Sequence, residues 1–120
     1  MPVGGAAQNF TLSSRELGQG PLAVMVHGMA ASSYDWEALM PVLAGAGFRS
    51  AAVDLLGHGD SPKPLSAESY FYPNFYAVFE SWLDSRTQSE PAILIGHSLG
   101  GHLSLQYSLR RPERVRALVL

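Results

Sequence analysis

The amino-acid sequence predicts an α/β fold, a mostly parallel sheet with helices on both faces. Three observations carry that expectation. Apolar, β-branched runs alternate along the chain with segments whose apolar residues recur at helical spacing. Two runs, Leu22-Ala23-Val24-Met25-Val26 and Ala92-Ile93-Leu94-Ile95, are apolar at every position, as in strands covered on both faces. The sequence Gly96-His97-Ser98-Leu99-Gly100 then joins a strand-like run directly to a helix-like one. Strands alternating with helices of this length imply right-handed crossovers, and ligands in such sheets bind beyond the carboxyl ends of the strands.

The elements follow in order. Residues 1–9 are small and polar and are expected to form a flexible N-terminus, with 10–120 forming a single domain. Phe10 to Leu17 alternates as a strand with one solvated face, and Gly18-Gln19-Gly20-Pro21 is a turn. After the Leu22–Val26 strand, His27 to Ser33 is a loop of mostly small residues. A helix follows, with Trp36, Leu39, Met40 and Leu43 on one stripe, Ser32 or Ser33 as its cap, and Asp35 and Glu37 in its first turn. Gly45 and Gly47 stop it. Phe48 to Asp54 is a strand, and Leu55 to Pro64 is a loop rich in breakers. A helix from Pro73 to about Ser85 carries Phe75, Val78, Phe79, Trp82 and Leu83 on one stripe. Ala92–Ile95 is a strand and Leu99 to about Leu109 a helix, with Arg110 and Arg111 at its C-terminal end. Pro112-Glu113 breaks that helix, and Arg114 to Leu120 begins another strand.

Composition narrows the function. A chain of 120 residues, 47% hydrophobic and 15% charged, suits one small globular domain. A net charge of -2 supplies no basic face for nucleic acid. The absence of cysteine excludes disulfides, zinc-thiolate sites and cysteine nucleophiles. The N-terminus has no basic stretch followed by an apolar run, and no segment approaches the ~20 apolar residues of a membrane span. A cytoplasmic protein without membrane contact is therefore expected. No His-x-x-x-His pair with a third ligand is present, so no metal site is expected.

Gly-x-Ser-x-Gly arises by chance in a chain of this length with a probability of roughly 4%. Its weight therefore rests on the strand before it and the helix after it. Gly96 and Gly100 lack a Cβ, which lets neighbouring backbone pass close to the turn and lets Ser98 take a strained conformation. The Leu99 amide lies at a helix N-terminus, where a free N–H and the helix dipole face a developing oxyanion.

Three segments in order, Met25-Val26-His27-Gly28, Asp54-Leu55-Leu56-Gly57-His58-Gly59-Asp60-Ser61 and Gly96-His97-Ser98-Leu99-Gly100-Gly101, resemble the N-terminal half of an α/β-hydrolase-fold protein. The run Arg111 to Leu120 is similar to the segment leading into that family's sixth strand. The resemblance implies that Ser98 is the nucleophile and that the backbone amides of Met29 and Leu99 form the oxyanion hole. It gives supporting roles to His27, which would orient its loop, to Gly28, Gly96 and Gly100, and to Asp54, which would brace the loop after its strand. A serine at the elbow favours a small-molecule ester or acyl substrate, and such acyl transfer calls for no cofactor. The epoxide and haloalkane branches, similar in the Asp54–Ser61 segment, carry aspartate there.

A serine nucleophile needs a base and an acid that orients it, in the order Ser, Asp or Glu, His for this fold. After Ser98 the chain offers only His102 and then Glu113, the reverse order, with His102 one helical turn from the serine. The triad acid and histidine are thus expected outside these residues, and the chain alone is expected to turn over little. Among the histidines, His58 is the best placed as a substitute base. His97 is expected to point into the core or a neighbouring loop, and His102 to lie on the helix surface or pack. Tyr70, Phe71 and Tyr72 are candidates for an acyl pocket. The strand at Val115–Leu120 would present a free edge, open to self-association or to a complementing chain. A non-catalytic binding module and an acyltransferase or perhydrolase both remain open as alternatives.

Overall fold

A pleated strand sends successive side chains to opposite faces, so an uninterrupted apolar strand must feed two cores. The computed structural model, which describes residues 10–120, shows this division. Five strands, β1 (Ser14–Leu17), β2 (Leu22–Val26), β3 (Arg49–Val53), β4 (Ala92–Gly96) and β5 (Val115–Val119), form one sheet in the order β1-β3-β2-β4-β5. β1 pairs antiparallel with β3, and the other three pairings are parallel. The helices are α1 (Leu39–Gly45), α2 (Tyr72–Arg86) and α3 (Leu99–Arg110). On one face Leu22, Val24, Val26, Ala51, Val53 and Leu94 pack with Phe75, Phe79 and Leu83 of α2 and Leu103 and Tyr107 of α3. On the other, Met25 and Ala52 pack with Met40 of α1, joined by Trp36, Leu39, Leu43 and Ile95. The flexible segment expected over 1–9 lies outside the described residues.

The structure corrects three boundaries. β1 begins at Ser14, not Phe10. The backbone of Ser13 is already engaged, its N–H by the Ser61 hydroxyl (2.8 Å) and its carbonyl by Asp54 N–H (2.8 Å). The single helix expected between its cap at Ser32 or Ser33 and the glycines Gly45 and Gly47 is two pieces, a 3₁₀ turn at Ser33–Trp36 and then α1. Pro41 explains the break. It has no N–H to give to Glu37, so it is tolerated in the first turn of a helix starting at Leu39 but not inside a longer one. Ser32 caps the 3₁₀ turn, accepting from Tyr34 N–H. At the other end of the chain a 3₁₀ turn at Pro112–Arg114 precedes β5, whose inner residues Val115 and Leu118 pack on the core while Val119 is half exposed.

Three strand ends, after Val26, Val53 and Gly96, converge at one edge of the sheet. His97 N–H donates to Val26 O across β2 and β4 (3.1 Å), and Asp54 and His27 continue β3 and β2 as fully buried residues.

Candidate functional site

The turn from β4 to α3 is sharp because it is almost without side chains. Ser98 sits at its tip with φ 56° and ψ -118°, in the left-handed half of the map where L-residues are strained. The α3 helix starts at the next residue. A Cβ on Gly100 would lie 2.1 Å from Val26 O and 2.6 Å from His27 O, and one on Gly96 would lie 2.6 Å from Gly100 O. Both glycines are thus required by close approach of backbone to backbone. The Ser98 side chain is exposed, and among the described residues no side chain hydrogen-bonds its hydroxyl.

The loop after β2 lies against this turn. A Cβ on Gly28 would stand 3.2 Å from Ser98 Cβ. His27 is completely buried, and its two ring nitrogens tie neighbouring loops. Nε2 accepts from Leu55 N–H (3.0 Å), so the neutral ring carries its proton on Nδ1 and donates it to Gly28 O (2.7 Å). Burial lowers the basicity of His27 below the ordinary value of 6.5. The Gly28 carbonyl opposes that shift, His58 reinforces it, and Asp54 and Asp35 oppose it more weakly. Met29 follows, 73% exposed, and Ala30 then takes a positive φ of 61°.

Asp54 fastens this loop to the next. Its buried carboxylate accepts from Ser33 N–H (2.7 Å) at the start of the 3₁₀ turn and from Asp60 N–H (3.2 Å) in its own loop. Ser61 completes the junction, donating its hydroxyl to Asp54 O while accepting from Ser13 N–H. Asp54 therefore braces two loops where one was expected. Ser61 and Ser33 escaped sequence reasoning because their partners are 48 and 21 residues away.

Beside Ser98 lies a cavity of about 310 Å³ lined by Met29, His58, Tyr70, Tyr72, Phe75 and Leu99. Tyr70 and Tyr72 take part as candidates from the sequence. Phe71, 60% exposed, does not, and Phe75 from the first turn of α2 replaces it. The two phenols are turned to fixed acceptors, Tyr70 to Pro64 O (2.7 Å) and Tyr72 to the Gln106 side chain, so they offer the cavity mainly ring surface.

The histidines separate clearly. His97 is exposed, with its ring edge against Gly28 of the neighbouring loop, the second of its two expected placements. His102 lies on the exposed face of α3, its ring edge-on to Tyr72 at 5.4 Å. His58 approaches the strand ends, as expected of a substitute base, but both ring nitrogens are occupied. Nδ1 donates to Leu56 O (2.9 Å) and Nε2 accepts from Ala30 N–H (3.0 Å). Among the described residues no three His, Cys, Asp or Glu side chains converge as metal ligands. No helix among the described residues is long and apolar enough to cross a membrane.

Residues 21–120 match the family model described as alpha/beta hydrolase fold. The bifunctional epoxide hydrolase 2 of Sus scrofa is 39% identical over 103 residues, covering 86% of this chain and 18% of that protein. The 2-(acetamidomethylene)succinate hydrolase of Mesorhizobium japonicum is 39% identical over 110 residues, covering 92% of this chain and 38% of that protein. Among solved structures, an epoxide hydrolase from Vigna radiata superposes with a TM-score of 0.85 at 28% identity, over 92% of this chain and 36% of that one. The chain thus spans well under half the length of each of these relatives.

Proposed function

From the premise that the chain belongs to the α/β-hydrolase fold family, we propose that it carries the nucleophile half of a serine hydrolase acting on a carbonyl substrate with an apolar acyl group. The supporting observation is the backbone of Ser98, strained at φ 56° on the tip between β4 and α3, with its side chain exposed. A strained residue persists where its surroundings over-determine it, and such positions cluster at active sites. In this reading Ser98 Oγ attacks the carbonyl carbon while a base takes its proton. The carbonyl oxygen becomes an oxyanion held by the Met29 and Leu99 amides. Collapse of that intermediate expels the leaving group and leaves an acyl ester on Ser98, which water then cleaves. Met29 and Leu99 lie on the wall of the aromatic-lined cavity, where an apolar acyl group fits.

Relatives named epoxide hydrolases support hydrolysis in general. The serine at the elbow, where the epoxide branch carries aspartate, favours the acyl reaction for this chain. The relative named for 2-(acetamidomethylene)succinate is consistent with a carbonyl substrate. Because the His58 nitrogens are occupied, the base and its orienting acid come, in this reading, from residues outside these 120.

The test is covalent capture. An aryl phosphonate ester is expected to label Ser98 slowly and selectively, with the adduct located by peptide mass spectrometry and absent from Ser98→Ala. Labelling that is undiminished in Ser98→Ala defeats the proposal. Hydrolysis of p-nitrophenyl acetate by the 120-residue chain should not exceed the roughly 10³–10⁴-fold gain over water that an oxyanion hole and binding alone retain. A large Ser98-dependent turnover would instead place a working base within the chain.

A second reading rests on β5, which among the described residues pairs only with β4 and leaves Val119 51% exposed. An edge of this kind accepts another strand. Size-exclusion chromatography separates the outcomes, since a monomer that melts cooperatively gives no support to a strand-pairing role.

A further inference from the structure

The loop that carries Met29 has a weak internal framework. Between the end of β2 and the 3₁₀ turn, its one backbone bond of its own among the described residues is Ala31 N–H to Gly28 O, at a long 3.3 Å. Its next residue after Met29, Ala30, holds a positive φ of 61° without being glycine. A conformation that L side chains rarely adopt must be held from outside. The Ala30 N–H points to such a holder, His58 Nε2, at 3.0 Å and across 28 residues of chain.

The holder is itself fixed. Nδ1 of His58 donates to Leu56 O (2.9 Å), which sets the ring plane and leaves Nε2 as the unprotonated acceptor. The ring also rests on His27, with centroids 5.0 Å apart. His27 in turn braces Gly28 O on one side and Leu55 N–H on the other. Two neutral imidazoles therefore span the loops after β2 and β3, and each is donor and acceptor at once.

We propose that His58 is a positioning residue: its neutral ring, anchored on Leu56 O, holds Ala30 N–H and so sets the direction of the adjacent Met29 amide beside Ser98. The inference rests on the reading of Met29 N–H as an oxyanion donor. Protonation of His58 would turn its Nε2 into a donor facing the Ala30 donor, and the loop would be released. The titratable and charged groups around the pair are His27 itself, Asp54 with both oxygens engaged by backbone amides, Asp35 in the 3₁₀ turn, Asp60 in the His58 loop, His97 beside Gly28 and Tyr70 against Gly57. The nearest of these, His27, is kept neutral by burial, and Asp54 is held in place by Ser33 and Asp60.

The experiment is residue-resolved amide hydrogen exchange by NMR on the 120-residue chain, with protection factors taken at Ala30 and Met29 and at Val24 and Leu94 as internal controls. His58→Ala is expected to lower protection at Ala30 about tenfold, the loss of one hydrogen bond, with β2 and β4 unchanged. His58→Gln, whose Oε1 occupies the Nε2 position but does not titrate, is expected to restore it to within about threefold. Unchanged Ala30 protection in His58→Ala, or a loss in His58→Gln as large as in His58→Ala, overturns the proposal. So does a loss shared equally by Val24 and Leu94, which would make His58 a general support of the fold. Should His58→Ala fail to fold, His58→Gln decides the matter: Ala30 protection within about threefold of the wild type supports the acceptor role, and a loss of about tenfold overturns it. Ser98 labelling is read separately, so failure of the nucleophile assignment leaves the exchange result standing as a statement about the loop alone.

Discussion

Two polar regions of the molecule are built on opposite plans. At the carboxyl ends of β2, β3 and β4, beside the exposed His97 and Ser98, three buried or half-buried polar side chains each have two backbone partners: Asp54 with Ser33 and Asp60, His27 with Leu55 and Gly28, His58 with Ala30 and Leu56. Along the seam between α2 and α3, charge meets charge. Glu80 pairs with Arg110 (2.7 Å) and Arg111 (3.3 Å), and Asp84 with Arg111 (3.0 Å) and Arg114 (3.8 Å). The second region has more ionic contacts, yet water reaches its arginines and screens them. The first has none among the described residues, but the buried amides of Ser33 and Leu55, deprived of Asp54 and His27, would find no water to replace them. Rigidity in this protein is thus concentrated where the strained Ser98 must be held, and the exposed ion pairs add comparatively little.

The sharpest way to break the comparison is at the crowded turn. Gly100→Ala places a methyl 2.1 Å from Val26 O and 2.5 Å from Val26 C, all backbone that cannot rotate away. Destabilisation above about 4 kcal/mol, or failure to fold, is expected in urea denaturation. A soluble variant with the wild-type midpoint would show that the β2–α3 approach is loose. Next in size is Asp54→Ala, which strips the buried Ser33 N–H of its acceptor. A loss of about 2–3 kcal/mol is expected in the same measurement, and a cost below that of an exposed ion pair would remove the contrast.

Acid provides a third, smaller test. Because burial holds native His27 below its ordinary value of 6.5, the unfolded chain takes up that proton first. The His27 contribution to stability is therefore complete above pH 6.5 and declines as pH falls from there toward the lowered native value. Urea midpoints across a pH series, wild type against His27→Gln, should show a steeper acid decline in the wild type. Equal slopes would place the loss elsewhere. Smallest of all is Glu80→Gln. Burial works against ionisation of Glu80, but hydrogen bonds from Arg110 and Tyr76 and the charge of Arg111 outweigh it and hold the carboxyl below its ordinary 4.5. Its contribution is present above that value and fades as pH falls through the lowered native one. With water reaching its partners Arg110 and Arg111, the variant should cost no more than about 1 kcal/mol at neutral pH, and less in high salt. A cost matching that of Asp54→Ala would equate the two regions.

Much of this arrangement is legible in residues that act on their neighbours. The Leu22–Val26 and Ala92–Ile95 runs identify central strands because buried strands must be apolar on both faces. The Gly96-x-Ser98-x-Gly100 spacing identifies the turn because the steric demand lies within five residues. Pro41 was legible too, yet the stripe Trp36, Leu39, Met40, Leu43 masks it. Apolar periodicity passes through a proline that the backbone does not. The roles of Ser61, Ser33 and His58 were not legible, since each bonds a segment more than 20 residues distant and nothing in its own neighbourhood names the partner.

By itself, then, the sequence determined the order of strands and helices, the position of the sharp turn and the family to which the chain belongs. These follow from local sterics and from the alternation of apolar residues. Only the tertiary structure decided what His58 and Asp54 do. A hydrogen bond across 28 residues depends on where two loops meet, and that depends on the register of β2 against β3, Leu22 facing Arg49 through Val26 facing Val53. The same register gives the histidine best placed as a substitute base two backbone partners, Leu56 O and Ala30 N–H, that occupy both its nitrogens.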